Sequence, residues 1–280
     1  MWSFFPKKSK RKTFEKLIGL MLVFNEIDII EQTLNYGINQ GVEFVIMDNG
    51  STDGSFEICQ KYLGKGVLKI ERIFTKNFAL DFLLKKIYKL AMTFDPDWLI
   101  LWDADVFLES PFKNKKLKDS VKKVASDGYN CIQFNNFEFW PTKKDSQSAD
   151  VRKRMKYYTW NDDFRLLCWK AGRGVRNINA HTLNLKHPKI YPVKFIMRHY
   201  KIRSFEQGLR KVFEERLPRF FNQPPGWHVH YNLMKKEKKY FIIDKAKLTK
   251  YHEDGIWNLE RKFDGWQTPM PDLRNRENER

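Results

Sequence analysis

Asp103-Ala104-Asp105 sets two carboxylates one residue apart, directly after the apolar run Trp98-Leu99-Ile100-Leu101-Trp102. Two hard oxygen donors at the tip of a strand can share a divalent cation or its waters. A cation held there would bridge the oxygens of a diphosphate and neutralise charge on a leaving nucleoside diphosphate. Asp-x-Asp alone is a common chance pattern, and a solvated acidic turn is its plainer reading. The apolar strand before it is what favours a site. Asp48-Asn49-Gly50-Ser51-Thr52-Asp53 follows another apolar stretch in the same way. A carboxylate and an amide there suit the edge of a base and ribose hydroxyls, while Gly50 and Gly54 permit tight turns. A turn followed by a helix cap explains the same residues equally well.

Strands and helices must place these clusters, and the first half of the chain alternates between the two periods. Ile18–Phe24, Val42–Met47, Val67–Ile73 and Trp98–Trp102 predict strands. Ile27–Gln40, Phe56–Tyr62 and Ala79–Thr93 predict helices, the second with Ser55 or Asp53 placed to cap it. Such alternation with short connections implies a mostly parallel sheet with helices on both faces. Ligands of such sheets gather beyond the carboxyl ends of the strands, where both acidic clusters fall. The second half is less regular. Tyr129–Phe139, Phe164–Trp169 and Val193–Tyr200 predict strands, and Ser204–Arg216 a helix with Ser204 as cap and Gln207 at the third helical position.

A chain of 280 residues suffices for one large domain or two small ones, and 42% hydrophobic residues argue against disorder. The formal charge of +18 favours acidic partners: nucleic acid, phosphorylated ligands or an anionic membrane. Cys59, Cys131 and Cys168 are an odd set without metal-type spacing, which argues against disulfides or zinc and fits a reducing compartment. No apolar run is long enough to span a bilayer, and no secretory pattern is visible, so a cytoplasmic protein is expected. Lys7, Lys8, Lys10, Arg11 and Lys12 beside Trp2, Phe4 and Phe5 suit the inner face of an anionic membrane. A frayed, solvated tail is the plainer reading.

Four motifs in order carry a resemblance. Leu22-Val23-Phe24-Asn25-Glu26, Met47-Asp48-Asn49-Gly50-Ser51-Thr52-Asp53-Gly54-Ser55, Phe74-Thr75-Lys76-Asn77-Phe78-Ala79-Leu80 and Trp102-Asp103-Ala104-Asp105 resemble those of family 2 glycosyltransferases. The resemblance implies a GT-A fold, and it implies roles. Asn25 and Glu26 would meet the nucleotide and Asp48 the base or ribose. Asp53 would contact the nucleotide or cap the next helix. Lys76 and Asn77 would face the diphosphate or donor sugar, Asp103 the ribose and donor sugar or a shared metal, and Asp105 the metal. Arg198-His199-Tyr200-Lys201-Ile202-Arg203-Ser204 resembles a later element of one branch, with His199 as a metal ligand and Arg203 and Lys211 as phosphate binders. Their plainer readings are a hydrogen-bonded core histidine and a surface ion pair. Two positions depart from that branch. Val106 stands where Glu is common, and His181-Thr182 where a His-Glu pair is usual. The general base is therefore sought at Asp162 or Asp163, each of which also reads as an acidic turn or cap.

The expectation is an α/β chain: a basic tail over 1–16, a catalytic domain over 17–217 split at 111/112 into nucleotide-sugar and acceptor halves, and an extension over 218–280 with a disordered end. The second half is expected as an irregular acceptor-side region. The implied enzyme transfers sugar from a nucleoside diphosphate sugar, UDP-sugar foremost, to a glycan or lipid-linked acceptor, using Mn2+ or Mg2+ and inverting the anomeric carbon. The competing reading is a nucleic-acid-binding protein, from the charge and from basic–aromatic stretches such as Arg152–Trp160 and Trp227–Tyr240. No nucleic-acid motif accompanies them. A sugar nucleotidyltransferase would need a Gly-rich phosphate loop near the first strand, which is lacking.

Overall fold

The protein is described by a computed structural model that covers residues 14–77, 79–143, 145–172, 175–178, 183–219, 241–252 and 257. β1 (Leu17–Val23), α1 (Ile30–Asn39), β2 (Glu43–Asp48), α2 (Ser55–Gln60), β3 (Val67–Arg72), α3 (Leu80–Met92) and β4 (Trp98–Leu101) follow the predicted alternation. β1 and β4 are apolar along their length because they are buried strands of a parallel sheet. α1 turns Ile30, Thr33, Leu34 and Gly37 inward, one face of a 3.6-residue period. A Cβ on Gly37 would stand 2.4 Å from the Phe44 ring, so only glycine lets α1 lie this close to β2.

The remaining elements are β5 (Val106–Glu109), α4 (Leu117–Ser126), β6 (Cys131–Phe139), α5 (Val151–Arg154), β7 (Tyr157–Lys170), β8 (Val175–Ile178), β9 (Leu183–Leu185), β10 (Phe195–His199), α6 (Phe205–Leu209) and β11 (Thr249–Lys250). Beyond α6 the chain continues as a π-helical stretch, Arg210–Arg216, and a 3-10 turn, Leu217–Arg219. The main sheet runs β3-β2-β1-β4-β7-β6-β10-β5, with β11 on β7. β7 and β5 are antiparallel to their neighbours; the other pairings along this path are parallel. Right-handed crossovers put α1 and α2 on one face. The return from β3 across to β4 puts α3 on the other. The strand order reverses between β1 and β4, which opens a crevice beyond their carboxyl ends.

The less regular second half supplies β6, β7 and β10 to the same sheet, at the strands predicted over Tyr129–Phe139, Phe164–Trp169 and Val193–Tyr200. Asp162 and Asp163, expected in a turn or cap before a strand at Phe164, lie inside β7 instead. β6 pairs with β7 on either side of this stretch, at Asn161 and Arg165, and keeps the chain in the strand, which the polar run Asn161-Asp162-Asp163 does not advertise. The register shifts here, between the Phe134–Arg165 and Asn136–Asn161 pairs. The side chains of Asp162 and Asp163 lie outside the described residues, as do His181, Thr182, the tail 1–13 and residues 220–240.

Packing continues past residue 217. Phe241 is buried with Trp140, Ile202, Val212 and Leu248, and β11 adds a strand. Among the described residues no helix is long and apolar enough to cross a membrane.

Candidate active site

The loops after β1 and β2 are laced together. Asn25 N–H donates to Ser51 Oγ at 3.1 Å and Thr52 N–H to Asn25 Oδ1 at 2.9 Å. Glu26 N–H donates to Ser55 Oγ at 2.8 Å, and Ile27 N–H to Asp53 Oδ2 at 3.0 Å. Asn25 sits at φ 54°, a left-handed conformation that asparagine tolerates better than most residues. Asp53 also accepts from Ser55 N–H and Oγ and ties both loops, while the cap of α2 is Gly54 rather than Ser55 or Asp53.

Asp48 has no accessible surface. Its carboxylate accepts from the Gly50 and Ser51 amides and pairs with Arg72 Nε at 3.1 Å. Any effect of Asp48 on a ligand therefore runs through the shape of its loop and through Arg72. Asn49 Oδ1 accepts from Thr75 N–H and Oγ1, which joins the β2 and β3 ends.

Across the crevice, Asp105 is positioned from three sides. Thr33 Oγ1 in α1 donates to Ala104 O at 2.8 Å, and Trp102 Nε1 to Val106 O at 3.0 Å. β5 then pairs antiparallel with β10 so that His199 stands opposite Val106, and Tyr200 N–H donates to Asp105 O. His199 Nε2 consequently lies 3.5 Å from Asp105 Oδ1. Ser204 caps α6 by accepting Gln207 N–H, and Gln207 Oε1 accepts Arg203 N–H, which holds Arg203 at the helix start.

A buried charge network fills the floor. Lys211 Nζ donates to Asp105 Oδ2 and to Glu26 Oε1, each at 2.8 Å. Arg203 gives Nη2 to Glu26 Oε2 at 2.6 Å, Nε and Nη2 to both Asp28 oxygens at 2.7 Å, and Nη1 to Tyr200 O at 2.9 Å. Arg216 Nη2 lies 3.7 Å from Glu26 Oε1. Burial alone would push the Asp105 carboxyl up, but Lys211 and His199 hold it well below the ordinary carboxylate range. Burial would likewise lower Lys211, and Asp105 and Glu26 outweigh it, leaving its pKa raised. Glu215 shifts up, through burial first and then the nearby Glu26 charge. The π-helical stretch widens the turn that carries Lys211, Glu215 and Arg216, a feature frequent at functional sites.

The predicted residues thus fall into three groups. Glu26, Asp105, His199 and Arg203 meet in the buried network. Asn25, Asp48 and Asp53 build the laced loops. Lys76 and Asp103 lie exposed at the rim, with Asn77 half-buried and its carbonyl accepting from Thr75 Oγ1. Arg203 is corrected from nucleotide binder to clamp: its side chain is 1% exposed and its guanidinium is spent on Glu26, Asp28 and Tyr200. Lys211, expected on phosphate, likewise faces carboxylates. Asp28, Arg216 and Arg219 were missed. Asp28 had a faint signal, a carboxylate two residues after Glu26, but its partner lies 175 positions away.

Asp105 and His199 decide whether a cation fits. His199 Nδ1 is buried without a hydrogen-bond partner, and Asp105 offers Oδ1 while Oδ2 is taken by Lys211. Among the described residues no three of His, Cys, Asp and Glu stand together to hold a metal. One carboxylate oxygen and one imidazole fit a divalent cation whose other ligands are diphosphate oxygens and water. They do not fit a cation caged by protein alone.

The model of the family described as Glycosyl transferase family 2 matches residues 20–217. No curated protein matches the chain. Among solved structures, TarS from S. aureus is 17% identical over 49% of this chain and 23% of its own, with a TM-score of 0.34. A structure of GalNAc-T7 with UDP, GalNAc and Mn2+ is 15% identical over 46% of this chain and 24% of its own, TM-score 0.34. A197 from STIV is 10% identical over 68% of this chain and 87% of its own, TM-score 0.34. The chain thus spans about a quarter of the length of these TarS and GalNAc-T7 structures.

Proposed function

This chain belongs to glycosyl transferase family 2, and from that premise we propose that it transfers a sugar from a nucleoside diphosphate sugar to an acceptor hydroxyl. The observation that carries the reading is Asp105 beside His199 at the carboxyl end of β4, in the crevice where the strand order reverses. A phosphate-bearing ligand there meets the charge of Arg216 beside Glu26, whereas Lys211 stays committed to Asp105 and Glu26. Asp105 and His199 are the residues that would hold Mn2+ or Mg2+. Such a cation, when bound, supplies positive charge to the diphosphate.

In the proposed reaction the acceptor oxygen attacks the anomeric carbon and the bond from that carbon to the diphosphate oxygen breaks. A carboxylate takes the acceptor proton, and the anomeric carbon inverts. Asp162 or Asp163 is proposed as that base, on β7 next to β4 and at its register shift, where strand irregularities commonly re-aim side chains toward a site. Lys76, Asn77 and Asp103 line the rim toward the donor sugar. We take UDP-sugar as the donor and a glycan or lipid-linked sugar as the acceptor, a class that suits the basic charge of +18. A cytoplasmic site of action, at the inner face of an anionic membrane, is proposed from the basic-aromatic N-terminal stretch. The three free, buried cysteines support a reducing compartment.

Thermal-shift titration with UDP, GDP, CDP and ADP, with and without Mn2+, tests the reading, followed by UDP-sugar hydrolysis. Stabilisation by one nucleoside diphosphate, strengthened by Mn2+, with release of free sugar, is expected. Salt-dependent oligonucleotide binding without nucleotide stabilisation or hydrolysis overturns it.

A further inference from the structure

Arg219 lies two residues beyond the stretch matched by the family and ends the 3-10 turn that follows the π-helical stretch. Its guanidinium carbon sits 4.0 Å from the centroid of the Phe24 ring. Nη2 donates to Thr75 O at 3.1 Å and to Thr75 Oγ1 at 3.2 Å. Nη1 is buried and has no hydrogen-bond partner among the described residues. This is the opposite of Arg203, whose donors are all engaged. A buried guanidinium donor left open is costly unless a ligand meets it. Burial and the neighbouring Arg216 both shift Arg219 below its ordinary pKa, and Glu215 opposes them only in part.

The location says what kind of ligand group would meet it. Phe24 follows β1, Asn49 follows β2 and Thr75 follows β3, and Asn49 Oδ1 joins the last two. Arg219 therefore closes over the ends of three adjacent strands, on the side of the crevice away from β4. Neighbouring strands are about 4.8 Å apart, so the β2 end lies roughly 10 Å from the β4 end that carries Asp105. That is the reach of a nucleotide from its diphosphate to its base. On the nucleotide-sugar reading above, with the diphosphate at the cation position of Asp105 and His199, the base falls at Phe24, Asn49 and Thr75.

We propose that Arg219 determines base specificity: its guanidinium, held over Phe24 and by Thr75, borders the base pocket, and Nη1 donates to a carbonyl oxygen on the base edge. Uracil presents such oxygens and adenine presents none. A planar fork fixed by Thr75 aims Nη1 in a way that a lysine ammonium cannot reproduce.

Calorimetric binding of UDP and ADP to the full chain, wild type against Arg219→Lys and Arg219→Ala, tests this. Wild type is expected to favour UDP over ADP by about tenfold or more, one hydrogen bond's worth of discrimination. Both variants are expected to lose that ratio to within about threefold, with ADP affinity little changed and unfolding midpoints near wild type. Arg219→Lys keeping the ratio overturns the proposal, because charge alone then suffices. Equal weakening of UDP and ADP overturns it too and moves Arg219 to the phosphates. Tighter UDP binding by Arg219→Ala overturns it by making the Phe24 contact an obstruction. Wild type binding neither nucleotide, with or without Mn2+, overturns instead the reading on which it rests.

Discussion

Lys211 Nζ stands 2.8 Å from Asp105 Oδ2, and the same ammonium stands 2.8 Å from Glu26 Oε1. One lysine on the π-helical stretch thus joins the strand ends of β1 and β4, the two sides of the crevice. Its side chain is 2% exposed, so the pair is screened by protein rather than water.

Removing that lysine leaves two carboxylates buried and uncompensated. Lys211→Met is expected to destabilise the fold by about 3–5 kcal/mol, the usual cost of breaking a buried pair from one side. Urea denaturation measures it. The double variant Lys211→Met with Asp105→Asn is expected to recover part of the loss, and strict additivity would contradict the coupling.

Asp105→Asn alone is expected to keep the fold and abolish transfer. The amide retains the shape and one acceptor for Lys211, so the stability cost stays near 1–3 kcal/mol. The carboxylate's hard charge is lost at the proposed cation position. Wild-type turnover by this variant at saturating Mn2+ would contradict the assignment.

His199→Ala is expected to raise the Mn2+ concentration for half-maximal hydrolysis severalfold while the UDP affinity measured without metal stays unchanged. The imidazole faces Asp105 Oδ1 at 3.5 Å, and its removal takes one of two protein donors. An unaltered Mn2+ dependence would return His199 to the reading of a core histidine.

Asp28 makes acid stability testable. Burial would raise its carboxyl, but the hydrogen bonds and charge of Arg203 prevail and lower it. A folded-state pKa below the unfolded value of about 3.9 means the stabilisation is present above that value and is lost as pH falls through the folded one. The melting temperature of Asp28→Asn is therefore expected to lie below wild type at pH 7, and the gap to close below about pH 4. A constant gap from pH 7 to pH 2 would show that the carboxylate's charge is not what Arg203 uses.

The sequence by itself determined the first half of the fold and the position of its acidic clusters. Each β-α step from Leu17 to Leu101 is written in local periods, and turn formers such as Asn49 and Gly50 mark the strand ends. The order of four motifs then identified the family. Local pattern also predicted the cap at Ser204 and the helix that follows it. It did not predict β7 across Asn161-Asp162-Asp163, because that polar run has little strand propensity of its own and is carried through by the pairing of β7 with β6 on either side of it. Nor could it decide partners. Arg203 and Lys211 read as phosphate binders until tertiary packing set them against Asp28, Glu26 and Asp105, the last pair 185 and 106 positions from Lys211. A side chain's charge is local information, but which opposite charge it meets, and whether water remains between them, is fixed only when distant strand ends are brought to one crevice.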